Sequence, residues 1–186
     1  MNLTIGASNH SNRIREENDF YATEPKAINE LLKVYKYFNS NIWECCCGKG
    51  HLSEELKKHS YNVYSSDLIN RGYGKVESVF KKEYNNYDII TNPPFKIAEK
   101  IIEHLFKISE NKVRICMLLK VQFLEGKKRK EFFKKYPMKY LYVSSSRIRT
   151  CKNGNFEKYK NVNSIAYAWY IWEVGNKEET KIRWFN

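Results

Sequence analysis

Between Pro25 and Tyr37 the apolar positions Ile28, Leu31, Leu32 and Tyr35 fall at helical spacing, with Pro25 where a helix can start. The run NIWE, ending at Glu44, predicts a short strand, and HLSEELKKH a helix that begins after the second glycine of the preceding turn. NVYSSD predicts a second strand ending at Asp67, and YDIIT a buried strand that Pro93 and Pro94 must stop. KIAEKIIEHLFKIS has strong amphipathic periodicity, and the apolar strand VRICMLL follows it. FLEGKKRKEFFKKY predicts a basic helix running through Gly126, and KYLYVSS a strand. SIAYAWYIWEV and KIRWF predict a terminal strand pair around the turn GNKEE. Strands alternating with helices imply an α/β fold: a mainly parallel sheet with helices on both faces and a C-terminal antiparallel strand pair at its edge. No repeat or linker divides the chain, so residues 1–186 are expected to form a single domain behind a polar N-terminal arm at 1–24.

Composition narrows the class. With 42% hydrophobic, 15% aromatic and 29% charged residues, the sequence describes a globular protein rather than a disordered one. No apolar run approaches the roughly 20 residues that a bilayer-spanning helix needs. The polar N-terminus carries no secretory signal, so a cytoplasmic location with reduced cysteines is expected. From Lys112 to Lys160 there are fifteen Lys and Arg against Glu125, Glu131 and Glu157, an excess equal to the whole net charge of +12. Aromatic residues are interleaved with them, from Phe132 and Phe133 to Tyr159. That pattern suits a polyanion partner, and charge alone does not separate it from a solvated lysine-rich face.

Candidate chemistry concentrates in three places. In ECCCGKGHL (44–52), adjacent side chains of a strand alternate in direction, so Cys45, Cys46 and Cys47 cannot converge on one tetrahedral ion, and no metal site is expected. The stretch fits a strand, a glycine turn at Gly48 and Gly50 that lets a ligand approach the backbone, and a helix N-terminus. The next strand ends in Asp67, where an acidic residue accepts from the two ribose hydroxyls of an adenosine or caps a turn. The third place is DIITNPPF (88–95), with Asn92 at the carboxyl end of an apolar strand. Pro93 and Pro94 remove two backbone donors and fix the chain, leaving a rigid set of acceptors beside the flat ring of Phe95. Such a group suits a planar substrate bearing an NH2 group, held by acceptors and stacked on the ring.

The order ECCCGKGHL, SSDL, DIITNPPF resembles the S-adenosylmethionine-dependent amino-methyltransferases, and more closely the small phage-type DNA N6-adenine methyltransferases. The resemblance covers nearly the whole chain, including NDFYATEPKAINELL, SSDLINRGYG, FLEGKKRKEFF, VSSSRI and AYAWYIWE. It implies a Rossmann-like methyltransferase fold with S-adenosylmethionine as cofactor. Tyr21 and Thr23 would touch the methionine end; Glu44, Cys47, Gly48 and Gly50 would form the cofactor loop; Asp67 would bind the ribose. Asn92 and the Pro93 carbonyl would accept the two protons of the target amine while Phe95 stacks on the base. The family's usual proline after the acidic residue is Cys45 here, and the acceptor for the cofactor's adenine amine has Glu77 as its candidate.

The resemblance implies a DNA partner, with RNA as an alternative. No separate target-recognition domain is expected, so residues 121–160 are expected to face nucleic acid. Lys127, Lys128, Arg129, Lys130, Arg147 and Arg149 would contact phosphate, and sequence specificity is expected to be short or relaxed. Trp169 and Trp172, on a strand with Tyr170, are expected in the core. The same motif serves enzymes acting on RNA bases or on a protein glutamine amide, and the fold can serve a non-catalytic nucleic-acid-binding module. The lysine- and asparagine-rich composition fits an AT-rich phage or prophage source.

Overall fold

The computed structural model describes residues 21–152 and 165–186. The predicted elements appear in order: α1 (Pro25–Val34), β2 (Asn41–Glu44), α2 (His51–Lys58), β3 (Asn62–Asp67), β5 (Asp88–Thr91), α3 (Ala98–Ile108), β6 (Arg114–Lys120), α4 (Lys127–Lys135), β7 (Tyr140–Ser144), β9 (Tyr167–Glu173) and β10 (Lys181–Phe185). Three short strands are additional: β1 (Tyr21–Thr23), β4 (Lys75–Val76) and β8 (Thr150–Lys152). Eight strands form one sheet in the order β10-β7-β9-β6-β5-β2-β3-β4, while β1 and β8 pair antiparallel in a separate ribbon.

All strands of the large sheet run in one direction except β9, which lies antiparallel between β6 and β7. The C-terminal strand β9 therefore supplies the antiparallel part of the sheet, as expected, with one correction. β9 and β10 are not bonded to each other; β7 is inserted between them, and β10 pairs parallel with β7 at the edge. A second correction concerns Gly126, which takes φ +116° and caps α4 instead of lying inside it; the preceding residues Val121–Leu124 form a separate 3-10 turn.

Both faces of the sheet are covered, which explains strands that read as continuous apolar runs. Ile115, Met117 and Leu119 of β6 point to the α3 side with Tyr170 and Trp172 of β9. Cys116 and Leu118 point to the α1 side with Trp169 and Ile171. Trp169, Tyr170 and Trp172 are fully buried, as expected, and the two indole N–H groups donate to the Ala27 and Tyr136 carbonyls at 3.0 Å each. Helix α3 buries Ala98, Ile101, Ile102, Leu105 and Ile108, one face of a 3.6-residue repeat. At the amino ends of the strands, Asp88 accepts from the Asn39 and Arg114 backbone N–H groups at 2.8 and 2.7 Å. That leaves the opposite edge, at the carboxyl ends of β2, β3, β5 and β6, as the place for chemistry.

Candidate active site

The glycine turn follows β2. Gly48 and Gly50 take φ values of +55° and +80°, and Gly50 is the N-cap of α2. The turn is closed by Gly50 N–H to the Cys47 carbonyl at 2.8 Å and tied to β3 by Cys47 N–H to the Ser66 carbonyl at 3.0 Å. Asp67 spans it: one carboxylate oxygen accepts from Gly48 N–H and the other from Ile69 N–H, both at 2.9 Å. A carboxylate has about four acceptor positions, so these two bonds orient Asp67 and leave it capacity for a diol.

Glu44, buried at the end of β2, accepts a hydrogen bond from the Ser53 hydroxyl, which also meets Ser65 at 2.8 Å. Burial pushes the Glu44 carboxyl up to about 8, opposed by the Ser53 hydrogen bond and reinforced by Asp67. Burial also raises Cys47 to about 12, and the neighbouring Cys45 thiol together with burial raises Cys46, so both remain thiols at neutral pH. Among the described residues, no group of three or more His, Cys, Asp or Glu is placed to hold a metal ion.

The loop from β3 to β4 covers this turn, a feature the sequence pattern did not disclose. A Cβ built on Gly50 would lie 2.5 Å from ring atoms of Tyr73, and one on Gly74 would lie 2.8 Å from Cys47 Sγ and the Ser65 carbonyl. Tyr73 OH donates to Glu54 at 2.6 Å and accepts from Lys57 at 2.9 Å, which fixes the ring against α2. Glu77, the candidate for an adenine amine, accepts from Tyr64 OH at 2.5 Å and pairs with Lys75 at 3.2 Å.

Asn92 leaves the end of β5 half-buried, and its amide nitrogen donates to the Thr23 hydroxyl at 3.0 Å. This bond brings the N-terminal ribbon onto the NPPF segment and turns the Asn92 carbonyl oxygen to the opposite side of the amide. Of Tyr21 only the backbone is described. Pro93 is buried, Pro94 exposed, and Phe95 opens a 3-10 turn closed by Ile97 N–H to the Pro94 carbonyl at 3.1 Å. The Phe95 ring lies 6.3 Å from Tyr167 and 5.2 Å from Lys120 Nζ.

Beside Phe95 opens a cleft of about 540 Å³, bounded by the turn after β6 and the start of α4. Lys127, Lys128, Lys130 and Arg147 are exposed. Arg129 and Arg149, also predicted phosphate contacts, have partners within the chain. Arg129 pairs with Glu99, donates to the Phe123 carbonyl at 3.0 Å and lies 3.6 Å over the Phe123 ring. Arg149 donates from Nε and from its backbone N–H to buried Glu24, at 2.9 and 2.8 Å. Neither Glu24 nor Glu99 was marked by the sequence pattern. The basic residues from 153 to 160 lie outside the described residues, as does the N-terminal arm up to residue 20.

No family model matches the chain, and no curated protein matches it by sequence. Solved structures do. An S-adenosylmethionine-dependent O-methyltransferase from Thermotoga maritima superposes over 83% of this chain with a TM-score of 0.52 at 14% identity. The type IIG restriction endonuclease BpuSI superposes over 88% with a TM-score of 0.56 at 12% identity. TrmN from Thermus thermophilus superposes over 81% with a TM-score of 0.51 at 11% identity. The matched regions are 66%, 26% and 48% of those chains, so this chain spans no more than about two thirds of any of them. The fold is that of class I S-adenosylmethionine-dependent methyltransferases. No helix among the described residues is long and apolar enough to cross a membrane.

Proposed function

We propose that this protein transfers a methyl group from S-adenosylmethionine to the exocyclic N6 amine of adenine in DNA. One observation carries the reading: Asn92, at the carboxyl end of β5 and bonded to Thr23, opens the Asn-Pro-Pro-Phe segment, whose Phe95 lines a cleft together with the exposed Lys127 and Lys128. The residues around the glycine turn fit the cofactor. Gly48 and Gly50 shape the turn through their positive φ, Asp67 is oriented to accept from a ribose diol, and Glu44, Cys47, Tyr21 and Thr23 complete the set that the resemblance assigns to it. When bound, S-adenosylmethionine supplies the methyl: the amine lone pair forms the N–C bond, the C–S pair returns to sulfur, and the surplus proton leaves to water.

An exocyclic amine is a weak nucleophile because its lone pair is delocalised into the ring. Asn92 Oδ1 and the Pro93 carbonyl, accepting both N–H bonds, favour the pyramidal form with a localised lone pair. Positioning and electrostatics then carry the rate without a strong general base. Phe95 replaces the stacking lost when the adenine leaves the duplex. Lys127, Lys128, Lys130 and Arg147 hold phosphates, which supplies affinity.

The test is transfer of labelled methyl to unmethylated duplex DNA, with RNA as control, followed by nucleoside analysis. Label recovered as N6-methyladenine in DNA and lost with Asn92→Ala supports the reading. Label confined to RNA, or no transfer despite cofactor binding, overturns it.

A further inference from the structure

We propose that Gln122 and Glu125, on the turn between β6 and α4, read the edges of the bases that flank the target adenine, a proposal that rests on the function above. The turn is where the flanking strand must pass. The cleft beside Phe95 is lined by Gln122 and Glu125 together with Lys120, Lys127 and Lys128. With a base stacked on Phe95 and the backbone held by the lysines, the neighbouring nucleotides lie against this turn. Phosphate contacts fix register; side chains facing base edges carry the sequence information.

The turn is rigid, as a reading element must be. Phe123 at its centre is buried and meets Phe132, Phe133 and Tyr170 edge-on, at ring separations of 6.4, 5.9 and 5.6 Å. Tyr170 OH donates to the Lys120 carbonyl at 3.0 Å, and Val121 N–H to the Ala166 carbonyl at 2.9 Å. Arg129 clamps the Phe123 carbonyl from above, and Glu125 N–H closes the turn on the Gln122 carbonyl at 3.1 Å. Little ordering therefore remains to be done on binding.

The side chains that this pedestal presents have the chemistry for readout. Both Gln122 and Glu125 are exposed, and among the described residues neither side chain makes a hydrogen bond or ion pair, although Lys127 and Lys128 follow closely in sequence. A carboxylate among phosphate-binding lysines weakens backbone affinity, and it gains only where it faces a donor. Base edges supply that donor: Glu accepts from the cytosine N4 amine or the adenine N6 amine, and Gln can engage adenine N6 and N7 together. A reading element made of one turn suits a short recognition sequence.

The proposal is tested with the full chain on duplex DNA carrying an adenine between randomised bases. Methylated positions are sequenced for the wild type, Gln122→Ala, Glu125→Gln and Glu125→Ala, and the same library is used in competition binding. The wild type is expected to prefer particular flanking bases, with Glu125→Ala and Gln122→Ala each losing about tenfold of that preference at one flanking position. Cofactor binding should be unchanged in all three variants. Methyladenine formed with no flanking preference, or with a preference the variants share, overturns this proposal alone. No methyladenine in any context overturns the parent function and this proposal with it.

Discussion

Thr23 and Asn92, 69 residues apart in sequence, are joined by a 3.0 Å hydrogen bond in which the asparagine amide donates to the threonine hydroxyl. The bond gives Thr23 a second task beyond the cofactor contact that the resemblance assigns to it. An asparagine amide can rotate to offer either nitrogen or oxygen, and only the oxygen can accept a proton from an amine. Thr23→Val keeps the shape and removes the acceptor. It should lower kcat on the order of tenfold, beyond any loss of affinity for S-adenosylmethionine, and Thr23→Ser should restore most of the rate. A weakened cofactor affinity with unchanged kcat would assign Thr23 to the methionine end alone.

Glu44 predicts a pH dependence with a defined sign. Burial raises its carboxyl from an ordinary 4.5 to about 8, so between those values the folded chain holds a proton that the unfolded chain has lost. Its contribution to stability is complete below about 4.5 and is lost as the pH rises through about 8. Melting temperatures of the cofactor-free wild type and Glu44→Gln, compared from pH 5 to 8, should diverge in that direction, the wild type losing relative stability as the pH rises. A cationic cofactor bound nearby would favour the ionised carboxylate and release a proton near pH 7. Calorimetry in buffers of different ionisation heat should detect that proton in the wild type and not in Glu44→Gln.

The features legible in the sequence are those that neighbours in sequence define. Gly48, Gly50, Asp67 and Asn92 each follow an apolar run, and the structure places all four at one edge of the sheet because parallel strands end there together. The ribbon of β1 and β8 was not legible, since Glu24 and Arg149 meet across 125 residues. Part of the charge of the basic segment is paired within the chain, which the sequence window does not show for the same reason. Arg114, Arg129, Lys139 and Arg149 all lie in it, and their partners Asp88, Glu99, Glu173 and Glu24 either precede or follow it. A sequence window counts its own charges and cannot count partners outside it. The GNKEE turn misled in a related way, because a hairpin signal says nothing of a third strand that inserts between its arms.

Gly50 is predicted to resist substitution for two separable reasons. Its φ of +80° strains any L side chain, and a Cβ would meet the Tyr73 ring at 2.5 Å. Gly50→Ala should cost about 1–3 kcal/mol, measured by denaturant unfolding. Adding Tyr73→Ala should recover the steric part and leave the backbone part, so the double variant should be more stable than the two single losses sum to.

The exposed lysines and the paired arginines should separate in a single set of experiments. Lys127, Lys128 and Lys130 are exposed at the start of α4, and replacing any of them by alanine should leave the melting temperature unchanged. Each that contacts a phosphate should lower the slope of log affinity against log salt by about 0.9. Arg149→Ala behaves differently, because it leaves Glu24, 6% exposed, as a buried carboxylate without its cation. The Arg149 side chain is itself 39% exposed, so the cost should fall below that of a fully buried pair, about 1–3 kcal/mol and several degrees of melting temperature. Arg129→Ala should likewise destabilise, through the lost bond to the Phe123 carbonyl and the lost stacking on its ring. Melting curves without DNA and binding isotherms at several salt concentrations, run on all five variants, give the comparison. Lysine variants that melt early, or arginine variants that alter only the salt slope, would reverse the assignment of phosphate-binding and scaffold roles made from the ion pairs.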